Sequence, residues 1–286
     1  MTSGGSLPTF SPFPAWVELT EARHGRMLHL REDAYVGRSF QAYGEFSEGE
    51  VALFTHFVPP GAVVVDAGAN IGAHTVPLAQ MAGPEGLVLA FEPQRILHQI
   101  LCANLALNSI PNTLANAMAL GDREGTCTVP ALDYGRPNNF GGIPMVESGP
   151  GETVPMVTLD SYGLERLDFM KVDVEGAEVQ VLSGARETLA RCRPALYVEN
   201  DRKEQSAALI RLLQELGYAL WWHLVPLFPG ENHKGNPENV FGNATSFNMV
   251  GLHRSRQPLT GLRPVQGPED AYPTQADGAI EPFRWR

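Results

Sequence analysis

One ten-residue stretch constrains this chain more than any other: Val63-Val64-Val65-Asp66-Ala67-Gly68-Ala69-Asn70-Ile71-Gly72. A short run of β-branched residues with no polar alternation reads as a strand buried on both faces. It runs into a turn with glycines at 68 and 72, where the backbone can approach a ligand closely, and then into a helix. The rhythm continues. Strand Ala62–Ala67 is followed by helix Ile71–Met81, strand Gly86–Phe91, helix Pro93–Leu107 and strand Asn112–Leu120. Further on come strand Leu167–Val174, helix Ala177–Arg191, strand Ala195–Glu199 and helix Lys203–Leu216, with final strands Tyr218–Leu224 and Ser246–His253. Alternation of this kind predicts an α/β fold with a doubly wound, mostly parallel sheet. Ligands of such sheets bind beyond the carboxyl ends of the strands, at a topological switch point.

Around this core the sequence predicts a lead over 1–15 and a mixed extension to 58. The extension ends in an amphipathic helix over Ser47–Phe57. The α/β domain is expected over 59–254, and a Pro/Gly-rich tail that packs loosely over 255–286. The Gly/Pro-rich stretch Gly121–Pro155 reads as a long loop, and Asn138–Gly142 within it as a mobile lid. A net charge of −11 disfavours nucleic acid as a partner. No apolar run is long enough for a membrane span, and the N-terminus has no signal-peptide pattern. Cys102, Cys127 and Cys192 have no metal spacing and read as reduced core thiols, which points to the cytoplasm. The oligomeric state is left open, a homodimer included.

Two ligand classes use a glycine turn after a first strand. Dinucleotide enzymes place GxGxxG there. This turn instead spells Asp66-x-Gly68-x-Asn70-x-Gly72, and an acid near the strand end suits a ligand bearing an ammonium group, such as S-adenosylmethionine. The same residues also make a turn with no ligand at all. The second strand ends in Glu92, where a carboxylate can accept from both ribose hydroxyls. The third ends in Asp122, a candidate for the adenine amine.

These motifs resemble those of the FkbM-type methyltransferases. The resemblance rests on Val65 to Gly72 with His74-Thr75, Phe91-Glu92-Pro93, Thr158-Leu159-Asp160, the string Met170 to Glu178, and an Asn-rich loop before Phe247-Asn248-Met249. It covers roughly residues 40–253. It implies a Rossmann-like, seven-stranded methyltransferase sheet with one antiparallel strand. It also implies O-methylation of a small-molecule hydroxyl, on a sugar or secondary metabolite. Asp66, Gly68, Asn70 and Glu92 would line the S-adenosylmethionine site, Asp173 would face methionine and acceptor, and Ser47 and Glu50 are further cofactor contacts. Where related members carry a Glu followed soon by His, this chain has Val198-Glu199-Asn200. That set resembles the catechol O-methyltransferases, and Asp173, Glu199 and Asn200 would supply hard oxygen ligands for Mg²⁺. A hydrogen-bond network at the strand ends is the alternative.

A proton acceptor for the hydroxyl is sought among Asp173, Glu175, Glu199, His223 and His233. The cluster Trp221, Trp222 and Phe228 reads as core packing or as a stacking platform. Two rival functions remain: an NAD-dependent oxidoreductase, and a non-catalytic binding protein on the same fold.

Overall fold

The computed structural model describes residues 16–270. The lead over 1–15 and the end of the tail, 271–286, lie outside the described residues.

Strand β3 (Val63–Ala67) forms because its valines are buried on both faces; Val64 and Val65 have no exposure. Each such side chain contributes about 1.5–3 kcal/mol of burial. It lies beside β4 (Leu87–Phe91) and β9 (Phe169–Val172), parallel to both. Helix α3 (Thr75–Ala82) links β3 to β4. Helix α4 (Arg95–Leu107) follows β4 and buries Leu97, Ile100, Leu101, Asn104 and Leu105, one face at helical spacing. Beyond β4 lies β5 (Thr113–Asn116); beyond β9 lie β10 (Ala195–Glu199), β12 (Thr245–His253) and β11 (Tyr218–Pro226). β12 runs antiparallel to both of its neighbours. The expected α/β sheet with one reversed inner strand is therefore present. An eighth strand, β13 (Arg263–Pro264), is added antiparallel at the β11 edge.

Several local expectations are corrected. The strand expected over Asn112–Leu120 breaks after Asn116. Its last residues form β6 (Ala119–Leu120), which leaves the main sheet and pairs with β8 (Gly151–Val157). β8 also pairs with β7 (Gly125–Pro130). The stretch Gly121–Pro155 thus holds most of a three-stranded sheet instead of a plain loop. Its buried run Cys127-Thr128-Val129, too short to stand out among Gly and Pro, was the available signal. The helix expected over Ala177–Arg191 is two helices, α5 (Glu178–Ser183) and α6 (Arg186–Cys192). They part at Gly184, where any side chain would run into the Gly121 carbonyl. Helix α7 (Lys203–Glu215) then leads to β11.

The segment before β3 is more ordered than a mixed extension suggests. β1 (Val17–Ala22) and β2 (Gly25–Leu30) form a hairpin, followed by α1 (Val36–Tyr43) and α2 (Glu48–Phe54). β2 packs on α4, where the Asn104 amide bonds both the Leu28 N–H and its carbonyl. The tail also packs as far as it is described: the Val265 N–H donates to the Leu220 carbonyl and Trp222 Nε1 donates to Asp270. Of the three thiols, Cys127 is buried, Cys192 half-buried and Cys102 exposed on α4. Among the described residues no helix is long and apolar enough to cross a membrane.

Candidate active site

A cavity of about 940 Å³ opens at the carboxyl ends of the central strands. Its floor is the turn after β3. The Gly68 and Ala69 N–H groups both donate to the Phe91 carbonyl, at 3.0 and 2.9 Å, which pins the turn to the end of β4. Gly68 has φ 79°, and a side chain there would strike the Asp173 carbonyl. Only glycine meets both demands. Asn70 also adopts the left-handed region, φ 51°.

Glu92, at the rim of β4, is 4% exposed. Its Oε2 accepts from the Asn70 N–H and its Oε1 from the Gln94 N–H, both at 2.8 Å. Burial pushes its carboxyl up to about 7, against the pull of those two donors. The carboxylate is thus fixed in direction, lines the cavity and keeps acceptor capacity for a ligand. Above it runs the segment expected to be a mobile lid. In this conformation it is docked along the cavity, which Asn139 and Gly141 line. Phe140 is fully buried, its carbonyl accepts from Gln94 Nε2 at 2.7 Å, and Asn138 exchanges backbone bonds with Glu32 and Ala34.

Asp66 does not reach the cavity. It lies under the floor with no exposure, where Oδ2 accepts from the Thr75 hydroxyl at 2.7 Å. Its Oδ1 sits 3.5 Å from Lys171 Nζ, which also meets Asp173 Oδ2 at 3.1 Å and the Gly68 carbonyl at 3.4 Å. Burial alone would lower the lysine's pKa, but Asp173, Asp66 and Glu50 outweigh it and the net shift is upward. Lys171 is therefore a buried cation that ties the β3 turn to the end of β9. It was not among the residues expected at the site, although a charged residue inside the otherwise apolar run Phe169-Met170-Lys171-Val172 was the signal. Gly72 likewise does not line the cavity; it packs beside Leu101.

On the opposite wall α2 brings in Glu50, 4% exposed. Its Oε1 accepts from Asn248 Nδ2 at 3.1 Å, and its Oε2 lies 3.5 Å from His74 Nε2. Burial holds His74 well below its ordinary pKa, so this contact joins a neutral ring to a carboxyl that burial raises to about 7. Ser47, ahead of α2, is buried and does not line the cavity. Asp122 does line it, with Arg123 at 3.1 Å.

Beyond Asp173 the wall is acidic. Asp173, Glu175 and Glu199 each present a carboxylate oxygen, all within 4.8 Å of one another. Glu175 has φ 60° and is held by Arg202 at 2.6 Å. Burial first, then the Asp173 charge, pushes Glu175 up to about 8 and Glu199 well above the carboxylate range. Asn200 is not part of this set: its Nδ2 faces Ser206 Oγ at 2.9 Å and the Met249 sulfur, inside the core. The reason is register, since adjacent residues of a strand point to opposite faces. Glu175, named as a candidate proton acceptor, completes the set with Asp173 and Glu199. Neither histidine named as a proton acceptor lines the cavity. His223 is buried, hydrogen-bonded to Tyr197 at 2.9 Å, and lowered to about 4 by burial. His233 is held on another loop, where its N–H donates to Glu45. Trp221 and Trp222 are core residues, and Phe228 packs on Tyr43.

Glu50 and Glu92 make stability depend on pH. Both have folded pKa values near 7, above the ordinary 4.5. Each therefore stabilises the fold fully below 4.5 and loses that contribution as pH rises toward 7. His223 acts in the opposite sense, losing its contribution as pH falls from 6.5 through about 4. From pH 6.5 to about 7.5 the carboxylates set the sign, so the melting temperature of the ligand-free protein is expected to fall, and to fall less in Glu50→Gln. Thermal melts across that window check this; a rise would contradict it.

Residues 66–220, more than half of the chain, match the family model of the methyltransferase FkbM domain. The chain belongs to this FkbM family. Methyltransferase sdnD of Sordaria araneosa is 30% identical over 165 residues, 46% of this chain and 62% of that protein. The AMB antimetabolite synthetase AmbE of Pseudomonas aeruginosa is 28% identical over 240 residues, 68% of this chain and 11% of that protein. This FkbM-family chain therefore spans less than two thirds of either relative. Among solved structures, the methyltransferase FkbM of Methylobacillus flagellatus KT is similar at 17% identity and TM-score 0.45, covering 67% of this chain and 44% of that one. A SAM-dependent O-methyltransferase of Thermotoga maritima is similar at 14% identity and TM-score 0.42, covering 73% and 66%.

Proposed function

We propose that this chain is an S-adenosylmethionine-dependent O-methyltransferase acting on a small-molecule hydroxyl, on a sugar or a secondary metabolite. The observation that carries the reading is Glu92, a buried carboxylate fixed by two backbone N–H groups at the cavity edge beside the Gly68 turn. That is the arrangement a ribose diol requires. The donor set fits the cofactor on two counts: Gly68 leaves a cradle that any side chain would fill, and carboxylates face where an ammonium and a sulfonium would lie.

S-adenosylmethionine, when bound, would supply an electrophilic methyl group, with S-adenosylhomocysteine as the leaving group of an in-line displacement by the acceptor oxygen. The chain supplies position and charge. Glu92 accepts from the ribose hydroxyls, Asp122 from the adenine amine, and Asp173 faces the methionine end. The hydroxyl proton passes to the Asp173 carboxylate as the new C–O bond forms, with Glu199 beside it at the acceptor end. We place the catalytic domain at 59–254, with the 1–58 extension contributing Glu50 to the wall and 255–286 as a tail. The acidic surface and three free thiols support a cytoplasmic enzyme without nucleic acid as partner.

The test is mass analysis of products after incubation with S-adenosylmethionine and a panel of glycosides and polyketides. Addition of one CH₂ to a hydroxyl is the expected result. Calorimetry with S-adenosylhomocysteine and with NAD separates the rival: binding of NAD and not of S-adenosylhomocysteine would overturn the reading.

A further inference from the structure

We infer that Asp173, Glu175 and Glu199 bind a hard divalent cation of the Mg²⁺ or Mn²⁺ type at the acceptor end of the cavity. Three carboxylates alone would not say so, since acidic groups cluster without ions. The second observation is Glu199 Oε2, which is sealed from water and accepts no hydrogen bond. A buried carboxylate oxygen without a donor is costly, by about 1–3 kcal/mol or more. It points to a partner that the protein itself does not provide.

The oxygens left over fit that partner. Lys171 engages Asp173 through Oδ2, and Arg202 engages Glu175 through Oε2. Asp173 Oδ1 and Glu175 Oε1 take no part in those ion pairs. One oxygen from each of the three residues lies within 4.8 Å of the others, a spacing that a cation at ordinary oxygen-ligand distances can bridge. The donor set is all carboxylate, without His or Cys, which selects hard cations over zinc or copper. Three protein oxygens leave positions for water and for an acceptor hydroxyl, and the cluster opens to the cavity. A hydroxyl bound there would lose its proton more readily. That role is consistent with the placement of both candidate histidines away from the cavity.

This inference deepens the proposed function, and its test keeps the two apart. The rival occupant of the cluster is the cofactor's own ammonium group. Binding of Mn²⁺ to the full chain, followed by electron paramagnetic resonance, is measured with and without saturating S-adenosylhomocysteine. One Mn²⁺ per chain in both conditions is expected, competed by Mg²⁺ and not by Na⁺. Glu199→Gln is expected to weaken Mn²⁺ at least tenfold, with S-adenosylhomocysteine affinity retained, and Glu175→Gln serves as a second variant if the first does not fold. No Mn²⁺ uptake in the presence of S-adenosylhomocysteine would overturn the site, as would uptake unchanged in both variants. Failure of S-adenosylhomocysteine to bind at all would instead strike the proposed function, whatever the metal does.

Discussion

Lys171→Met is expected to destabilise the fold by about 3–5 kcal/mol, the range for removing one partner of a buried ion pair. The lysine side chain is 3% exposed and Asp66 has no exposure, so water is a poor replacement for the lost cation at Asp66. Asp66 would have to remain as an uncompensated charge or take up a proton, while Asp173 would lose its 3.1 Å partner. Methionine fills the space, which leaves the charge as the variable. Denaturant unfolding of the parent and the variant measures the effect. Adding Asp66→Asn to Lys171→Met should recover part of the loss, because the stranded charge is then gone. A single variant within about 1 kcal/mol of the parent would mean that the pair contributes no more than a surface ion pair.

Glu92→Ala is expected to weaken S-adenosylhomocysteine binding by about 1–3 kcal/mol, the cost of leaving buried hydrogen-bond partners without an acceptor. That corresponds to roughly five- to 150-fold in affinity. The change acts twice. It removes the acceptor for the ligand's hydroxyls, and it frees the Asn70 and Gln94 N–H groups that hold the turn in shape. Glu92→Gln keeps an amide oxygen for one of those donors and is expected to lose less. Calorimetry on folded variants decides: unchanged affinity in Glu92→Ala would remove this residue from the cofactor site.

What the sequence made legible follows from which interactions are local. The β3 strand, its turn and the Glu92 rim depend on neighbours in the chain: a valine run, two glycines, an acid before a proline. Such features are readable from a dozen consecutive residues. The exit of β6 from the main sheet is not. Residues 117–120 continue an apolar pattern, and only pairing with β8, where Ala119 meets Met156, decides which sheet they join. Lys171 illustrates the same limit. Its role depends on Asp66, about a hundred residues away, through contacts that no spacing rule encodes. Asn200 fell out of the expected set because one-residue register at a strand end reverses the face a side chain meets, so Glu199 meets the cavity and Asn200 meets Ser206. His223 was attractive for its ordinary pKa, but that value holds only in water, and the ring is buried against Tyr197.

The short strand β13 has a consequence beyond its two residues. It lies on the outer side of β11, opposite Trp221 and Trp222, at what would otherwise be an open rim of the main sheet. An open rim with large apolar side chains recruits strands from other molecules. Pro264 offers no N–H to an incoming chain, and two residues are too few to template one. Next to β13, Trp222 Nε1 and the Arg263 side chain both bond Asp270, so the segment is fastened at a second point. A chain ending before Arg263 would keep every residue of the cavity and lose this cover. It would be expected to bind its ligands normally while self-associating through β11, so that colloidal behaviour, rather than chemistry, would reveal what the tail is for.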